Sequence, residues 1–344
     1  MAKAKKLTKG QHRRIKKNIA NKLSTKSNDE IWKDSELGET QQGTIISRFG
    51  QHADVQSENG DIIRCNIRRT VDSLVCGDHV IWRPGKETKH SISGVIEAVH
   101  ERSSVLSRPD VYDGVKPIAA NIDQIFIVSS VVPAFNADII DRYLVATELT
   151  GIKAIIVLNK IDLLDANNRT DIDNYLQLYQ DIGYEVILVS SKQQQGLEQI
   201  SQRLKDKTSI FVGQSGVGKS TLVNTLMPGL DLLTQEVSDV SGLGQHTTTV
   251  ARLYDFPDGG RLIDSPGIRE FGLWHLTPDQ VDKGFIEFQP HFGYCKFRDC
   301  KHQNDPGCAL KQALTDGEIS EQRFASYQRI LASLDSNTLT SRFK

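Results

Sequence analysis

The chain has 344 residues, 38% of them hydrophobic, and its 42 Lys and Arg against 43 Asp and Glu leave a formal net charge of −1. At roughly 150 residues per domain this length predicts about two to three domains with real cores, and five cysteines, an odd number in a long chain, point to thiols or a metal site rather than a disulfide framework. No uninterrupted apolar run approaches the roughly 18 residues of a membrane span, and no apolar stretch follows the charged start, so the expectation is a cytoplasmic protein without a membrane partner.

The charge is unevenly placed. Residues 1–28 hold ten basic side chains (Lys3, Lys5, Lys6, Lys9, Arg13, Arg14, Lys16, Lys17, Lys22 and Lys26) and no acidic one, while the other 316 residues carry 32 basic against 43 acidic, a net −11. Residues 1–37 lack sustained apolar periodicity and read as a basic, flexible extension, helical around Arg13 to Leu23 when bound. Its cations suit nucleic-acid phosphates; the plainer alternative is a solubilising tail.

Residues 38–103 carry short apolar or alternating runs at Gly43 to Ser47, Ala53 to Gln56, Ile62 to Ile67, His79 to Trp82 and Gly94 to Val99. Turn signals separate them at Glu58 to Asp61, Cys76 to Asp78 and Arg83-Pro84-Gly85. About five strands in roughly 65 residues predict a small closed barrel of the oligonucleotide-binding (OB) type, with an SH3-like barrel as the alternative. Cys65 and Cys76 read as core residues.

In residues 104–274 buried strands alternate with helices, the pattern of an α/β domain. Candidate parallel strands are Gln124 to Val131, Lys153 to Leu158, Glu185 to Val189, Thr208 to Val212 and Arg261 to Ile263; candidate helices are Ala137 to Leu149, Asp171 to Gln180 and Gly196 to Leu204. Residues 275–344 read as short helical pieces around a Cys/His cluster, with an amphipathic helix near Ser320 to Leu334.

Two motifs name a ligand. Asn159, Lys160, Ile161 and Asp162 form N-K-x-D at the end of a buried strand, the pattern by which P-loop proteins read guanine. The Asp162 carboxylate can accept from both N1–H and the exocyclic amine, a pairing adenine cannot make, and Ser190, Ser191 and Lys192 after the next strand would back the base. Further on, Gly213, Gln214, Ser215, Gly216, Val217, Gly218, Lys219 and Ser220 match G-x-x-x-x-G-K-S between an apolar strand and a helix opening at Thr221. Backbone N–H groups would curl round the phosphates, Lys219 would reach the β and γ phosphates, and Ser220 would ligate Mg²⁺.

Asp264-Ser-Pro-Gly267 fits D-x-x-G, with Asp264 on Mg²⁺ and the Gly267 N–H on the γ-phosphate; a simple turn on Pro266 is the alternative. The Gly- and Thr-rich stretch Ser241 to Thr249 reads as a switch loop in which one of Thr247, Thr248 and Thr249, Thr248 by preference, coordinates Mg²⁺. The guanine motif precedes the phosphate loop, so the GTPase domain must be circularly permuted. Ile268 stands where Ras-type enzymes orient water with glutamine, which leaves His246 as the candidate catalytic group, the alternative being a structural histidine. Cys295, Cys300, His302 and Cys308 supply three thiolates and an imidazole within fourteen residues, the ligand set of a closed, structural zinc site.

This combination resembles the bacterial circularly permuted small ribosomal subunit biogenesis GTPases, the RsgA (also called YjeQ) family. The resemblance covers nearly the whole chain. It implies a multidomain protein: an OB-type β-barrel, a permuted P-loop α/β GTPase domain and a mainly helical C-terminal zinc domain. It also implies GTP hydrolysis that is slow alone and stimulated by the small ribosomal subunit, binding to that subunit and its rRNA, action late in its maturation, and release on hydrolysis. It supports a catalytic His246, and the expected form is a monomer binding GTP or GDP with Mg²⁺ and one structural Zn²⁺. Rival readings are a P-loop kinase or ATPase, and an RNA-binding scaffold that uses GTP only for structure.

Overall fold

In the computed structural model, which describes residues 32–89, 91–110, 114–228, 251–265, 276–303 and 305–341, period-two alternation closes a five-stranded barrel. Its strands are β1 (Gln41–Phe49), β2 (His52–Ser57), β3 (Ile62–Ile67), β4 (His79–Lys89) and β5 (Ile92–Val99), in the order β1-β2-β3-β5-β4. On β2, Ala53 and Val55 point inward between more exposed neighbours, and with Ile45, Cys65, Val80, Trp82 and Ile96 they fill the barrel. The chain passes from β3 over β4 to a parallel β3–β5 pair, a Greek-key closure that selects the OB barrel over a meander. A register slip between Ile45 and Ser47 lets β1 serve two cores: Ile45 faces the barrel, and Ile46 packs into the α/β unit.

Three expectations change here. The Arg83-Pro84-Gly85 turn lies inside β4, whose pairing with β5 is irregular between Pro84 and Lys89. Proline lacks an N–H, and the irregular ladder accommodates it while its carbonyl accepts from the Gly38 N–H at 2.7 Å. Within the expected extension, residues 32–37 pack on the barrel: Trp32 and Leu37 are buried with Val95. A Cβ on Gly85 would lie 2.4 Å from the Trp32 indole, so only glycine admits the ring. The third change is an unanticipated hairpin, β6 (Val105–Asp110) with β7 (Gly114–Ala120). Its Leu106 and Ala119 join Cys76 in the α/β core, tying barrel to sheet. Residues 1–31, which carry the ten cations, lie outside the described residues.

The central sheet has the order β10-β9-β8-β11-β13-β12, with β8 (Gln124–Ser130), β9 (Lys153–Asn159), β10 (Glu185–Leu188), β11 (Thr208–Val212), β12 (Arg252–Asp255) and β13 (Arg261–Asp264). All pairs are parallel except β12–β13, an edge addition the sequence reading lacked. Helices cover both faces: α1 (Ala137–Glu148), α2 (Arg169–Ile182), α3 (Leu197–Leu204) and α4 (Lys219–Leu226). Ile125 and Ile127 point to α1 and α2, and Phe126 and Val128 point to α3 and α4, which is why the centre of β8 reads as a continuous apolar run.

The C-terminal unit comprises α5 (Pro278–Gly284), α6 (Ala309–Thr315) and α7 (Glu321–Ser341). A Thr277–Gln280 capping box with Pro278 in the first turn starts α5. Phe285, Phe288, Phe324 and Tyr327 pack with Val145 of α1. Arg323, 2% exposed, bonds Asp141 of α1 and, through two nitrogens, Glu287, while the Tyr179 hydroxyl donates to Asp141 at 2.7 Å. A buried charge network thus joins this unit to the sheet's helical layer. Among the described residues no helix is long and apolar enough to cross a membrane.

Candidate functional site

The nucleotide motifs meet at the carboxyl edge of the sheet, around β8, β9 and β11. In open α/β sheets this edge, where successive crossovers leave in opposite directions, forms the ligand crevice. After β11, Gly213 takes φ +143° and Gly218 φ +91°, backbone conformations that side chains rarely adopt. A Cβ on Gly213 would lie 2.1 Å from the Val128 carbonyl, and one on Gly218 2.5 Å from the Asn159 amide nitrogen. These two glycines let the loop press against the ends of β8 and β9. α4 then opens at Lys219, its first-turn N–H groups and dipole favouring an anion. Lys219 Nζ folds back on the loop, donating to the carbonyls of Gly213 at 2.8 Å and Gln214 at 2.6 Å. Val217 is buried, Ser220 half-buried, and Gln214, Ser215 and Thr221 are exposed.

Asn159 connects the two motifs. It is 1% exposed at the end of β9, and its Nδ2 donates to the Val217 carbonyl, 58 residues away in sequence, at 3.0 Å. Its Oδ1 accepts from Lys160 N at 2.8 Å, Ser191 N at 3.2 Å and Ser191 Oγ at 3.1 Å. Lys160, at φ +61°, extends Nζ to the carbonyls of Val132 and Gly216. Asp162 accepts at Oδ1 from the buried Ser190 hydroxyl. Asn159 through Asp162, Ser190, Ser191 and the phosphate loop therefore form one hydrogen-bonded constellation. Ile161 packs toward Leu158 and Leu176, and Lys192 is exposed. Asp264 ends β13, beside β11 in the sheet. His246, Thr247, Thr248, Thr249, Gly267 and Ile268 lie outside the described residues.

One participant was missed. The β8–α1 connection reaches the phosphate loop: Val132 O accepts from Lys160, Ser130 Oγ donates to Val132 O at 2.9 Å, and Pro133 lies 3.5 Å from where a Gly216 Cβ would stand. Its sequence, Ser129 to Asn136, carries no motif; position after a central strand was the only signal.

In the C-terminal unit the candidate ligand atoms of Cys295, Cys300, His302 and Cys308 all lie within 4.8 Å of one another. His302 Nδ1 is 3.6 Å from the sulfurs of Cys295 and Cys300 and 3.4 Å from that of Cys308. Zinc bonds of about 2.05 Å to nitrogen and 2.3 Å to sulfur at tetrahedral angles would separate N and S by about 3.6 Å, so the four groups fit such an ion. Burial pushes the Cys300 thiol up to about 12 and holds His302 below its usual value. Three thiols round one imidazole nitrogen make poor mutual partners, but they are a complete donor set once a cation favours the thiolates. Cys65 and Cys76, by contrast, are buried in cores, as expected; burial raises both, Cys65 to about 12.

Comparison with known proteins matches this arrangement. The sequence model of the RsgA GTPase family matches residues 99–274. The small ribosomal subunit biogenesis GTPase RsgA of Proteus mirabilis (strain HI4320) is 57% identical over 336 residues, covering 96% of each chain. Among solved structures, YjeQ from Thermotoga maritima has a TM-score of 0.69 at 30% identity, covering 86% of this chain and 99% of its own. YloQ, described as a circularly permuted GTPase, has a TM-score of 0.67 at 28% identity, covering 89% of this chain and 99% of its own.

Proposed function

The chain belongs to the RsgA GTPase family, and from that premise we propose that it binds the small ribosomal subunit late in maturation and leaves when its GTP is hydrolysed. It is a GTP hydrolase of small-subunit biogenesis. The observation that carries the nucleotide reading is the Asn159–Val217 hydrogen bond, which holds a guanine motif against a phosphate loop that follows it in sequence.

The residues divide the work as follows. Asp162, one oxygen of which is held by Ser190, accepts from guanine, and Asn159 keeps that loop in register with the phosphate loop. Lys219 exchanges two neutral carbonyl partners for β and γ phosphate oxygens, a stronger charge-assisted pairing. Ser220, Thr248 and Asp264 would hold Mg²⁺, and the Gly267 N–H would sense the γ-phosphate. His246 orients or deprotonates the attacking water. Bound Mg²⁺ supplies charge neutralisation at the transferred phosphoryl group. Cys295, Cys300, His302 and Cys308 hold one structural Zn²⁺ that couples metal binding to folding of the C-terminal unit.

We assign the barrel to residues 38–103 with residues 32–37 packed on it, the permuted GTPase domain to 104–274 and the zinc unit to 275–344, acting as a cytoplasmic monomer. The basic residues 1–28, the barrel and the zinc unit supply RNA contacts. Co-sedimentation with small subunits tests the reading. Retention with a non-hydrolysable GTP analogue and release with GDP are expected; equal pelleting in both states overturns nucleotide-controlled release. In single-turnover assays subunits should accelerate hydrolysis and His246→Ala should abolish the acceleration, whereas a scaffold would show neither. Asp162→Asn should shift preference from GTP toward xanthosine triphosphate; an unchanged preference would favour the ATPase rival.

A further inference from the structure

The segment Gly293 to Gln303 carries chemistry that neither zinc ligation nor core packing uses. Phe292, just before it, faces inward, its ring edge-on to His302 at 5.5 Å and packed in the C-terminal core. Tyr294 and Phe297 face outward, 79% and 45% exposed, and Tyr294 is the most exposed large hydrophobic side chain among the described residues. Exposed Lys296, Arg298 and Lys301 are interleaved with them, and Asp299 is the sole acid of the segment. This is a cationic patch on a body whose net charge is −11 outside residues 1–28.

The segment is held by its ends. Cys295 and Cys300 converge on His302, Lys296 N donates to Gly307 O at 3.0 Å, and Lys301 N donates to Asp305 Oδ2 at 3.1 Å. Lys296 Nζ lies 5.5 Å over the Phe297 ring, which steadies the ring without burying it. Aromatic rings on a pinned loop lose little freedom on binding, and no aliphatic side chain lies between them to complete an apolar protein interface.

We propose that Tyr294 and Phe297 form a stacking platform for unpaired bases of single-stranded RNA, with Arg298 and Lys301 on the flanking phosphates. Every base offers a π-face, so the platform is tolerant of sequence but requires unstacked bases. A duplex offers none, because its bases are already stacked and its major groove is too deep and narrow for side chains. The inference deepens the small-subunit reading and rests on it for the biological source of the RNA.

The test uses the full, zinc-loaded chain with a non-hydrolysable GTP analogue. Fluorescence anisotropy would follow a labelled 12-nucleotide RNA without self-pairing and a 12-base-pair RNA duplex. Tyr294→Ala and Phe297→Ala should each weaken single-strand binding by about 5-fold to about 150-fold, the range that a lost base stack produces, while the salt slope and duplex binding stay as in the parent. Tyr294→Trp should restore binding. Arg298→Ala with Lys301→Ala should instead flatten the log–log salt slope by about 1.4, at roughly 0.7 per phosphate contact on a single strand. Zinc content and thermal unfolding would verify that each variant is folded.

Alanine variants that bind the single strand within about two-fold of the parent overturn the proposal, as does a parent that does not bind it. Co-sedimentation separates the two readings. A parent that fails to pellet with small subunits overturns the subunit reading, even where the oligonucleotide result supports the platform. A parent that pellets while its alanine variants bind RNA normally overturns the platform alone.

Discussion

Replacing Asn159 by alanine tests whether the guanine loop and the phosphate loop are one mechanical unit. The side chain makes four hydrogen bonds: Nδ2 to Val217 O, and Oδ1 from Lys160 N, Ser191 N and Ser191 Oγ. Truncation strands two backbone N–H groups and one carbonyl around a residue that is 1% exposed. Each orphaned buried group costs ~1–3 kcal/mol, and because the half-buried Lys160 backbone can reach water once the loop loosens, the low end applies, ~2–4 kcal/mol in all. For a domain of this size that corresponds to a fall of about 5–15 °C in unfolding temperature. The loss should appear without nucleotide, in thermal and urea unfolding, and titration with a fluorescent GDP should show weaker binding as well. Ser191→Ala, which removes only a hydroxyl, should cost under ~1 kcal/mol. Asn159→Asp keeps the Oδ1 partners but sets an oxygen against the Val217 carbonyl, so its stability should fall between the parent and Asn159→Ala. An Asn159→Ala protein that unfolds within about 0.5 kcal/mol of the parent and yet loses guanine-nucleotide affinity would refute the reasoning, because the residue would then act on the base alone.

Arg323→Met should destabilise the chain by ~3–5 kcal/mol in denaturant unfolding, since Asp141 and Glu287 are left facing each other's space without a cation; a cost under ~1 kcal/mol would contradict the network's role. In a thiol-reagent titration at pH 8 the zinc-loaded protein should react slowly. A chelator, by loosening the C-terminal unit, should release three thiols (Cys295, Cys300 and Cys308), and full unfolding should release all five, because Cys65 and Cys76 are buried in the barrel and α/β cores, outside the metal-donor cluster. Rapid native reaction of Cys65 would contradict its burial. The Asp138–Arg329 pair at the α1–α7 contact sets a pH window: hydrogen bonding to Arg329 depresses the Asp138 carboxyl, so its contribution is present above about pH 4 and lost as pH falls through the lowered value. Both groups are about a third or more exposed, so the pair contributes under ~1 kcal/mol. Arg329→Gln should flatten the stability loss between pH 5 and pH 3 by that much in urea titrations, and a steeper loss would reverse the sign.

The motif chemistry was legible because it is local. A guanine motif after an apolar strand, a glycine-rich loop before a helix, and three cysteines with a histidine within fourteen residues each point to a candidate role through residue type and spacing. The central strands were equally legible, since burial on both faces writes an unbroken apolar run such as Ile125 to Val128. Where local and long-range chemistry disagree, local signals mislead. Proline and glycine at 84 and 85 read as a turn, yet a long strand runs through them because the Trp32 ring needs the space above Gly85 and Gly38 needs the Pro84 carbonyl. Trp32 and Leu37 read as part of a tail because their partner, Val95, is far along the chain.

Sequence by itself determined the ligand class, the permuted order and the candidate metal donors, all of which depend on side-chain type at short spacing. Only the tertiary structure decided that Asn159 bridges two loops 58 residues apart, that the Val132–Pro133 segment abuts the phosphate loop, and that Arg323 joins the C-terminal unit to α1. Those contacts pair a backbone carbonyl, a proline ring and a buried cation with partners distant in sequence. Such pairings leave no periodicity and no motif, and they become visible when the sheet order brings the elements together.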